Sequence, residues 1–290
     1  MPVTRSISRN ADEAPLIMGI VNVTGDSFYG ASRTPAMDEA LAAVARFVAD
    51  GAGIIDIGGE STRPGAETVD EAAERDRVLP LVREVRRVFP HIGISLDTRK
   101  ASVARAGIAA GADIINDVSA GTYDNAMLAV VGASDAHLIL MHMKGTPKDM
   151  QASPHYDDVT SEVTRYFDER IAAANTAGIG RERLLLDPGV GFGKTLEHNR
   201  TLIGAIPHFK KTFGLPLVAG LSRKRFIGDI TGRAVEDRLA GSLGAAVAAM
   251  TLGADILRVH DVRETVDAVK VAWAVSSAVC GTGAAGEGCR

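Results

Sequence analysis

Cysteine is nearly missing from this 290-residue chain: the two present, Cys280 and Cys289, both lie in a Gly/Ala-rich tail. That excludes a disulfide scaffold and a CxxC metal site, and it points to a reducing compartment. No apolar stretch of about 18 residues is free of charge, and residues 1–13 are too polar for a secretory hydrophobic region. Neither a membrane span nor export is expected, and the cytoplasm is the expected location. An excess of one charge is also lacking. With 32 Lys and Arg against 36 Asp and Glu, the net charge is −4, which offers no basic surface to nucleic acid. The expected partners are small molecules or a second copy of the chain.

Several motifs are absent as well. No GxGxxG follows the first apolar run, which removes the usual sign of a dinucleotide fold. The glycine-rich run 189–194 lacks the GxxxxGK[ST] spacing of a phosphate-binding loop, so it reads as a flexible strand-to-helix connection. HxxxH, HExxH and dense carboxylate clusters are missing too. A metal caged by protein ligands is therefore not expected, whereas Mg2+ carried mainly by a diphosphate and touched by one amide, such as Asn22, fits.

What the chain does have is rhythm. Eight short apolar runs end at or near polar residues: 16–21 at Asn22, 54–57 around Asp56, 92–96 at Asp97 and 113–115 at Asn116. The later four are 138–141 at His142, 184–186 at Asp187, 217–221 at Ser222, and 256–257 at Arg258 and His260. Between them, residues 37–50, 70–89, 101–110, 125–133, 157–177, 196–206, 235–252 and 263–275 have the spacing of amphipathic helices. Gly51, Gly111, Gly178 and Gly253 follow such helices, where a residue free to take positive φ turns the chain into the next strand.

The predicted class is α/β: a single (β/α)8 TIM barrel with a parallel eight-stranded core over residues 14–275, flanked by flexible tails at 1–13 and 276–290. An open doubly wound sheet gives the same alternation, but eight runs with polar ends favour closure. Strand ends on one face of a closed barrel converge on a single cavity.

The rim residues fall into two groups. Asp97, Asn116 and Asp187 are short acceptors or amides, suited to the donor-rich edge of a heterocycle. Arg63, Lys224, Arg258 and His260 are cationic or protonatable donors, suited to phosphate. Structural alternatives stand beside these readings. Asp97 is also placed to cap a helix, Asn116 to satisfy neighbouring backbone, Lys224 and Arg225 to form a solvated charge run, and His260 to be an interior histidine. Asp187 heads the loop Asp-Pro-Gly-Val-Gly-Phe-Gly, which favours ligand contact.

Taken together, IMGIVNVT at 17–24, IDIGGESTRPG at 55–65, NDVS at 116–119, MHMKGTP at 141–147, DPGVGFGK at 187–194, SRKRF at 222–226 and RVHDV at 258–262 resemble the dihydropteroate synthases. The resemblance runs in matching order from about residue 17 to residue 274. It implies condensation of 6-hydroxymethyl-7,8-dihydropterin diphosphate with 4-aminobenzoate, giving 7,8-dihydropteroate and pyrophosphate for folate synthesis, with Mg2+ and as a homodimer. It also implies roles. Asp97, Asn116, Asp187 and Lys224 would hold the pterin, with Met141 and Phe192 along its faces. Asn22, Arg63, Arg258 and His260 would surround the diphosphate and Mg2+. Phe28, Thr62, Arg63, Pro64 and Ser222 would border the aminobenzoate. Asn22, Arg63, Lys224, Arg258 and His260 form the expected catalytic set.

An aniline nitrogen is a weak, neutral nucleophile, which points to a dissociative displacement in which the bond to diphosphate breaks first. The chain departs from the family pattern in its first loop, where Gly25 replaces a proline and Gly30 an aspartate. Gly25 leaves that loop less preordered, and a catalytically weak pterin-binding paralogue is one alternative. A pterin-binding methyltransferase barrel is the other, although it has no need of the cationic diphosphate set. For the homodimer, helices 157–177 and 235–252 are the candidate faces, the latter through Gly241, Gly244, Ala245 and Ala248.

Overall fold

A computed structural model describes residues 13–23, 35–61, 65–146 and 148–281, the last four as backbone only. Eight parallel strands alternate with helices in chain order. The strands are β1 (Leu16–Asn22), β2 (Ile54–Gly58), β3 (Gly93–Asp97), β4 (Ile114–Asp117), β5 (His137–Met141), β6 (Leu184–Asp187), β7 (Val218–Ala219) and β8 (Ile256–Val259). Their order, β6-β5-β4-β3-β2-β1-β8-β7, leaves β6 and β7 at the two ends. Those ends meet through a parallel bridge between Leu186 and Leu217, with the Leu186 N–H donating to the Pro216 carbonyl at 2.9 Å. The sheet is thereby closed into the single (β/α)8 barrel that the alternation predicts.

Side chains alternate sides along a strand, and the strands are apolar on both faces because both are covered. Ile55, Ile57, Ile94, Leu96, Ile115, Leu138, Leu140, Leu184, Leu186 and Leu257 face outward into the main core shared with the helices. Met18, Ile54, Ile114, Ile139, Leu185, Val218 and Ile256 face inward and form a separate cluster inside the barrel. Two residues further along the chain from each of these, on the same side, stand Ile20, Asp56, Asn116, Met141, Asp187, Gly220 and Arg258, most of them polar. An apolar floor thus lies one level beneath a polar layer, which is how short strands carry both a core and a site.

The described residues hold ten helices. Helices α1 (Pro35–Ala49), α2 (Glu71–Val88), α3 (Ala101–Ala110), α4 (Met127–Gly132) and α5 (Val159–Thr176) each span one crossover. Two starts carry side-chain caps: Asp70 accepts from the Ala73 N–H at the head of α2, and Asp158 from the Ser161 N–H at the head of α5. The next two crossovers depart from the one-helix expectation. Between β6 and β7 lie α6 (Leu196–Gly204) and α7 (Ile206–Phe213), divided at Ala205 with a proline in the first turn of α7. Between β7 and β8 lie α8 (Arg225–Thr231) and α9 (Leu239–Thr251).

Two boundaries also move. β7 is two residues long rather than the five of run 217–221, and α10 (Val262–Gly281) continues helically past residue 275, into the stretch expected as tail.

The inner floor is closely packed, with Leu185 fully buried. Leu185→Ala is expected to lower the free energy of unfolding by about 2–5 kcal/mol, read as a fall in denaturant midpoint at unchanged slope.

Candidate active site

The register of the sheet sets inward-facing strand ends side by side. Asn22 pairs with Gly58, Gly58 with Asp97, and Asp97 with Asn116, while Met141 pairs with Asp187. On β8, Arg258 reaches back across the barrel. Its Nε donates to Asp56 Oδ2 and its Nη2 to Asp97 Oδ2, both at 2.7 Å. Asn116 Nδ2 lies 3.4 Å from Asp56 Oδ2.

On the opposite wall, Gly220 marks where further groups gather. A Cβ there would stand 3.7 Å from Lys224 Nζ, 3.8 Å from Asp187 Oδ2 and 3.9 Å from Arg258 Cβ. Asp97, Asn116, Asp187 and Lys224 therefore share one mouth, joined through Arg258, and the glycine at 220 keeps its centre open.

Electrostatics follow from burial. Asp56 is fully buried, and two carboxylates share one guanidinium. Burial pushes the Asp97 carboxyl up to about 7; Arg258 opposes this and the Asp56 charge adds to it. Asp187 is also raised by burial, against the pull of Lys224. Burial brings the Lys224 ammonium down to about 8, opposed by Asp187 and helped by Arg258. Arg258 stays charged throughout: burial works against it, but Asp56 and Asp97 hold it up.

A carboxylate beside an ammonium, Asp187 with Lys224, offers acceptor and donor side by side. That matches a cyclic amide edge carrying N–H next to C=O. Lys224 also sits 4.8 Å from the centroid of the Phe192 ring and donates to the Val190 carbonyl.

Three amides of the glycine-rich connection are already engaged within the protein and so are not offered to a phosphate. Gly189 N–H donates to Asp187 Oδ1, Gly191 N–H to Asn199 Oδ1 and Phe192 N–H to the Gly189 carbonyl. Gly189, Gly191 and Gly193 all have positive φ, and a Cβ on Gly189 would lie 1.8 Å from the His142 carbonyl oxygen. Only glycine permits that approach.

A second group forms where β7 and β8 end. Ser222 Oγ lies 3.1 Å from His260 Nδ1 and accepts from the His260 N–H at 3.3 Å. Ser222 and His260, expected on different ligands, are thus neighbours. Arg223 has φ 57, rare for a residue with a side chain. Its two-pronged bond to Asp261, at 2.8 and 2.6 Å, pins the β7 connection to the β8 connection.

Several functional supports escaped the sequence reading. Asp56 holds Arg258. Glu60, buried, accepts from Arg99 Nε and Nη2, from Lys100 Nζ and from the Val69 N–H, which ties Val69 to the end of the β2 connection. Burial alone would raise the Glu60 carboxyl, yet Lys100, Val69 and Arg99 hold it below its ordinary value. The signal for Glu60 was weak, because a charged residue just beyond a strand end reads equally well as solvated, and Asp56, named within its run, carried no cue to its partner on β8. Phe28, Thr62, Arg63 and Pro64, together with Gly25 and Gly30, lie outside the described residues.

The geometry defines a barrel with a mouth built for a flat, polar heterocycle, and comparison with known proteins gives that class a family. Residues 18–260 match the family model for pterin binding enzymes. The dihydropteroate synthase of Escherichia coli (strain K12) is 46% identical over 264 residues, covering 91% of this chain and 93% of that protein. Among solved structures, the Yersinia pestis dihydropteroate synthase in a sulfonamide drug complex has a TM-score of 0.85 at 43% identity, covering 91% of this chain and 95% of that one. The Xanthomonas albilineans dihydropteroate synthase with 4-aminobenzoic acid has a TM-score of 0.84 at 46% identity, with coverage of 92% and 94%. The chain belongs to the pterin-binding enzyme family, and within it to the dihydropteroate synthases. Relatives at this level count against the methyltransferase alternative.

A carboxyl raised in the folded state adds stability below its unfolded pKa of about 3.9, and that contribution disappears as pH climbs through the folded value. For Asp97 the window is therefore about pH 4 to 7. Denaturant unfolding of the ligand-free protein across that range is expected to show the parent chain losing stability relative to Asp97→Asn as pH rises.

Proposed function

We propose that the chain condenses 6-hydroxymethyl-7,8-dihydropterin diphosphate with 4-aminobenzoate, releasing pyrophosphate and giving 7,8-dihydropteroate for folate synthesis. The observation that carries this reading is the convergence of Asp97, Asn116, Asp187 and Lys224 around the Arg258 side chain in one mouth. The carboxylates and the amide accept from the pterin's amino and ring N–H groups, and Lys224 donates to its carbonyl. Met141 lines the pocket from the end of β5, in register with Asp187, and Phe192 covers it beneath Lys224.

The displacement is dissociative. The C–O bond to diphosphate breaks with its electron pair going to the leaving group, and the resulting methylene cation is delocalised into the pterin. The arylamine lone pair then attacks, and its N–H proton is lost. His260, at the end of β8 beside Ser222, is the protonatable donor for the departing charge, and Arg63, outside the described residues, is the cationic donor that the family resemblance implies; removing one such preorganised donor typically costs about 3–4 kcal/mol. Arg258 contributes from within the polar layer, since its Nε and Nη2 are directed at Asp56 and Asp97. Replacing it would also leave Asp56 buried without its guanidinium, so its loss affects folding as well as chemistry.

Mg2+ fits as a cation carried by the substrate. Among the described residues no group of three or more His, Cys, Asp or Glu side chains is arranged to hold a metal, whereas Asn22, a neutral amide, stands at the end of β1 in register with Gly58. When bound, Mg2+ neutralises charge on the diphosphate.

The reading extends to a homodimer in the cytoplasm. No described helix is long and apolar enough to cross a membrane. On α9, Gly241 is covered by Ile227 of α8, but Gly244 and Ala248 are exposed and offer a smooth outward strip. Sedimentation at micromolar concentration is expected to give twice the chain mass; a monomer would remove the dimer from the proposal.

Mixing the protein with both substrates and Mg2+ is expected to release pyrophosphate. With the arylamine omitted, pterin diphosphate carrying 18O in the bridging position is expected to scramble that label into non-bridging positions. Product formation with no scrambling would overturn the dissociative order and leave the overall reaction standing.

A further inference from the structure

The most deeply buried cation near the mouth plays no part in the chemistry above. Lys194 ends the glycine-rich connection and is 3% exposed. Its Nζ lies 2.9 Å from His142 Nδ1, 2.9 Å from the Phe192 carbonyl oxygen and 3.3 Å from the His142 carbonyl oxygen. An ammonium has three protons, and three acceptors surround this one. His142 directly follows Met141, and its N–H donates to the Asp187 carbonyl at 3.0 Å. Phe192 carries the ring that sits against Lys224. The Lys194 ammonium therefore bonds both to the end of β5 and to the residue that covers the mouth.

At its start the loop is held to the mouth by Lys224 on the Val190 carbonyl and by Asp187 on the Gly189 N–H, and three further ties run outward. Gln151 Nε2 donates to the Gly191 carbonyl at 2.6 Å, Tyr156 OH to the Gly193 carbonyl at 2.9 Å, and Asn199 holds the Gly191 N–H. These fix the loop against the outer shell, whereas Lys194 fixes it against the barrel wall.

We propose that Lys194 is a positioning residue for the pterin: it clamps the glycine-rich loop to the end of β5 and so sets the height of the Phe192 ring above the pocket. The proposal rests on the pterin-binding reading above and deepens it. His142 serves as an acceptor in this arrangement, with its proton on Nε2. Burial, then the Lys194 and Lys144 charges, push its pKa down to about 2, so the ring stays neutral over the working range. The charges facing Lys194 are Asp187, which favours its ammonium form, and Lys224, which disfavours it; burial is the larger influence and lowers it.

The test uses Lys194→Met, which keeps the length and removes the donors. Calorimetry with 6-hydroxymethylpterin is expected to show affinity weakened at least tenfold. KM for pterin diphosphate should rise by a similar factor, while KM for 4-aminobenzoate stays within twofold. A purely structural role would lower the active fraction, reducing apparent kcat with both KM values unchanged, and that result overturns the proposal. Should the variant fold poorly, His142→Leu removes one acceptor and keeps both carbonyls, and is expected to shift the same KM by a few-fold; unchanged pterin affinity there also overturns it. Failure of the unaltered chain to bind 6-hydroxymethylpterin would overturn the functional reading itself, a result distinct from a failure confined to the variants.

Discussion

One guanidinium inside the barrel organises the rest. Arg258 leaves β8 above an apolar floor, where the effective dielectric is low and charge interactions are strong. Taking that charge out of water is costly, and Asp56 and Asp97 together offset the cost. The arrangement leaves two carboxylates to one cation. The excess negative charge is what makes the mouth receptive to a ligand rich in N–H donors. A salt bridge with equal partners would have been a closed structural unit; this one is unbalanced, and the imbalance faces the cavity.

Around that centre the site divides by wall. The β2 to β4 side supplies acceptors, and the β6 to β7 side supplies a carboxylate with an ammonium. The β7 and β8 ends bring Ser222 against His260, and the Arg223–Asp261 pair ties those ends together. On the proposed reading, selectivity for the ring system and stabilisation of departing charge fall to different strands of one cavity: the first wall would grip the bicycle and the second receive its leaving group.

Much of this was legible from residue order. The eight apolar runs located the strands because a parallel strand covered on both faces is a short continuous apolar run, and residues such as Asp97 and Asp187 declared themselves by closing those runs. Helices α7 and α8 were missed. The first follows α6 after a single residue, Ala205, and the second begins at Lys224-Arg225, which reads as loop or as solvated charge. The run 217–221 overstates β7, because apolar residues there are buried without pairing beyond Ala219. The supporting roles of Asp56, Glu60, Lys194 and Asp261, residues that lie within the runs and motifs already named, were hidden for a different reason. Each acts through a partner from 38 to 202 residues away in the chain, and only closure of the barrel brings the pairs together. Gly220 was equally silent, since its meaning lies in the space that it leaves.

The narrow join between β6 and β7 has a consequence for how the enzyme accommodates its ligands. Elsewhere, neighbouring strands share from two register pairs, at β7 and β8, to five, at β1 and β2, but here a single bridge at Leu186 and Leu217 does the closing. Asp187 lies immediately beyond this join on one side, and Lys224 a few residues beyond it on the other. The two halves of the donor–acceptor pair therefore ride on opposite lips of the least stitched line in the wall. Their spacing is thus set across the line with the fewest ladder hydrogen bonds, whereas the acceptors on β3 and β4 are spaced by the multiply paired arc from β1 to β5.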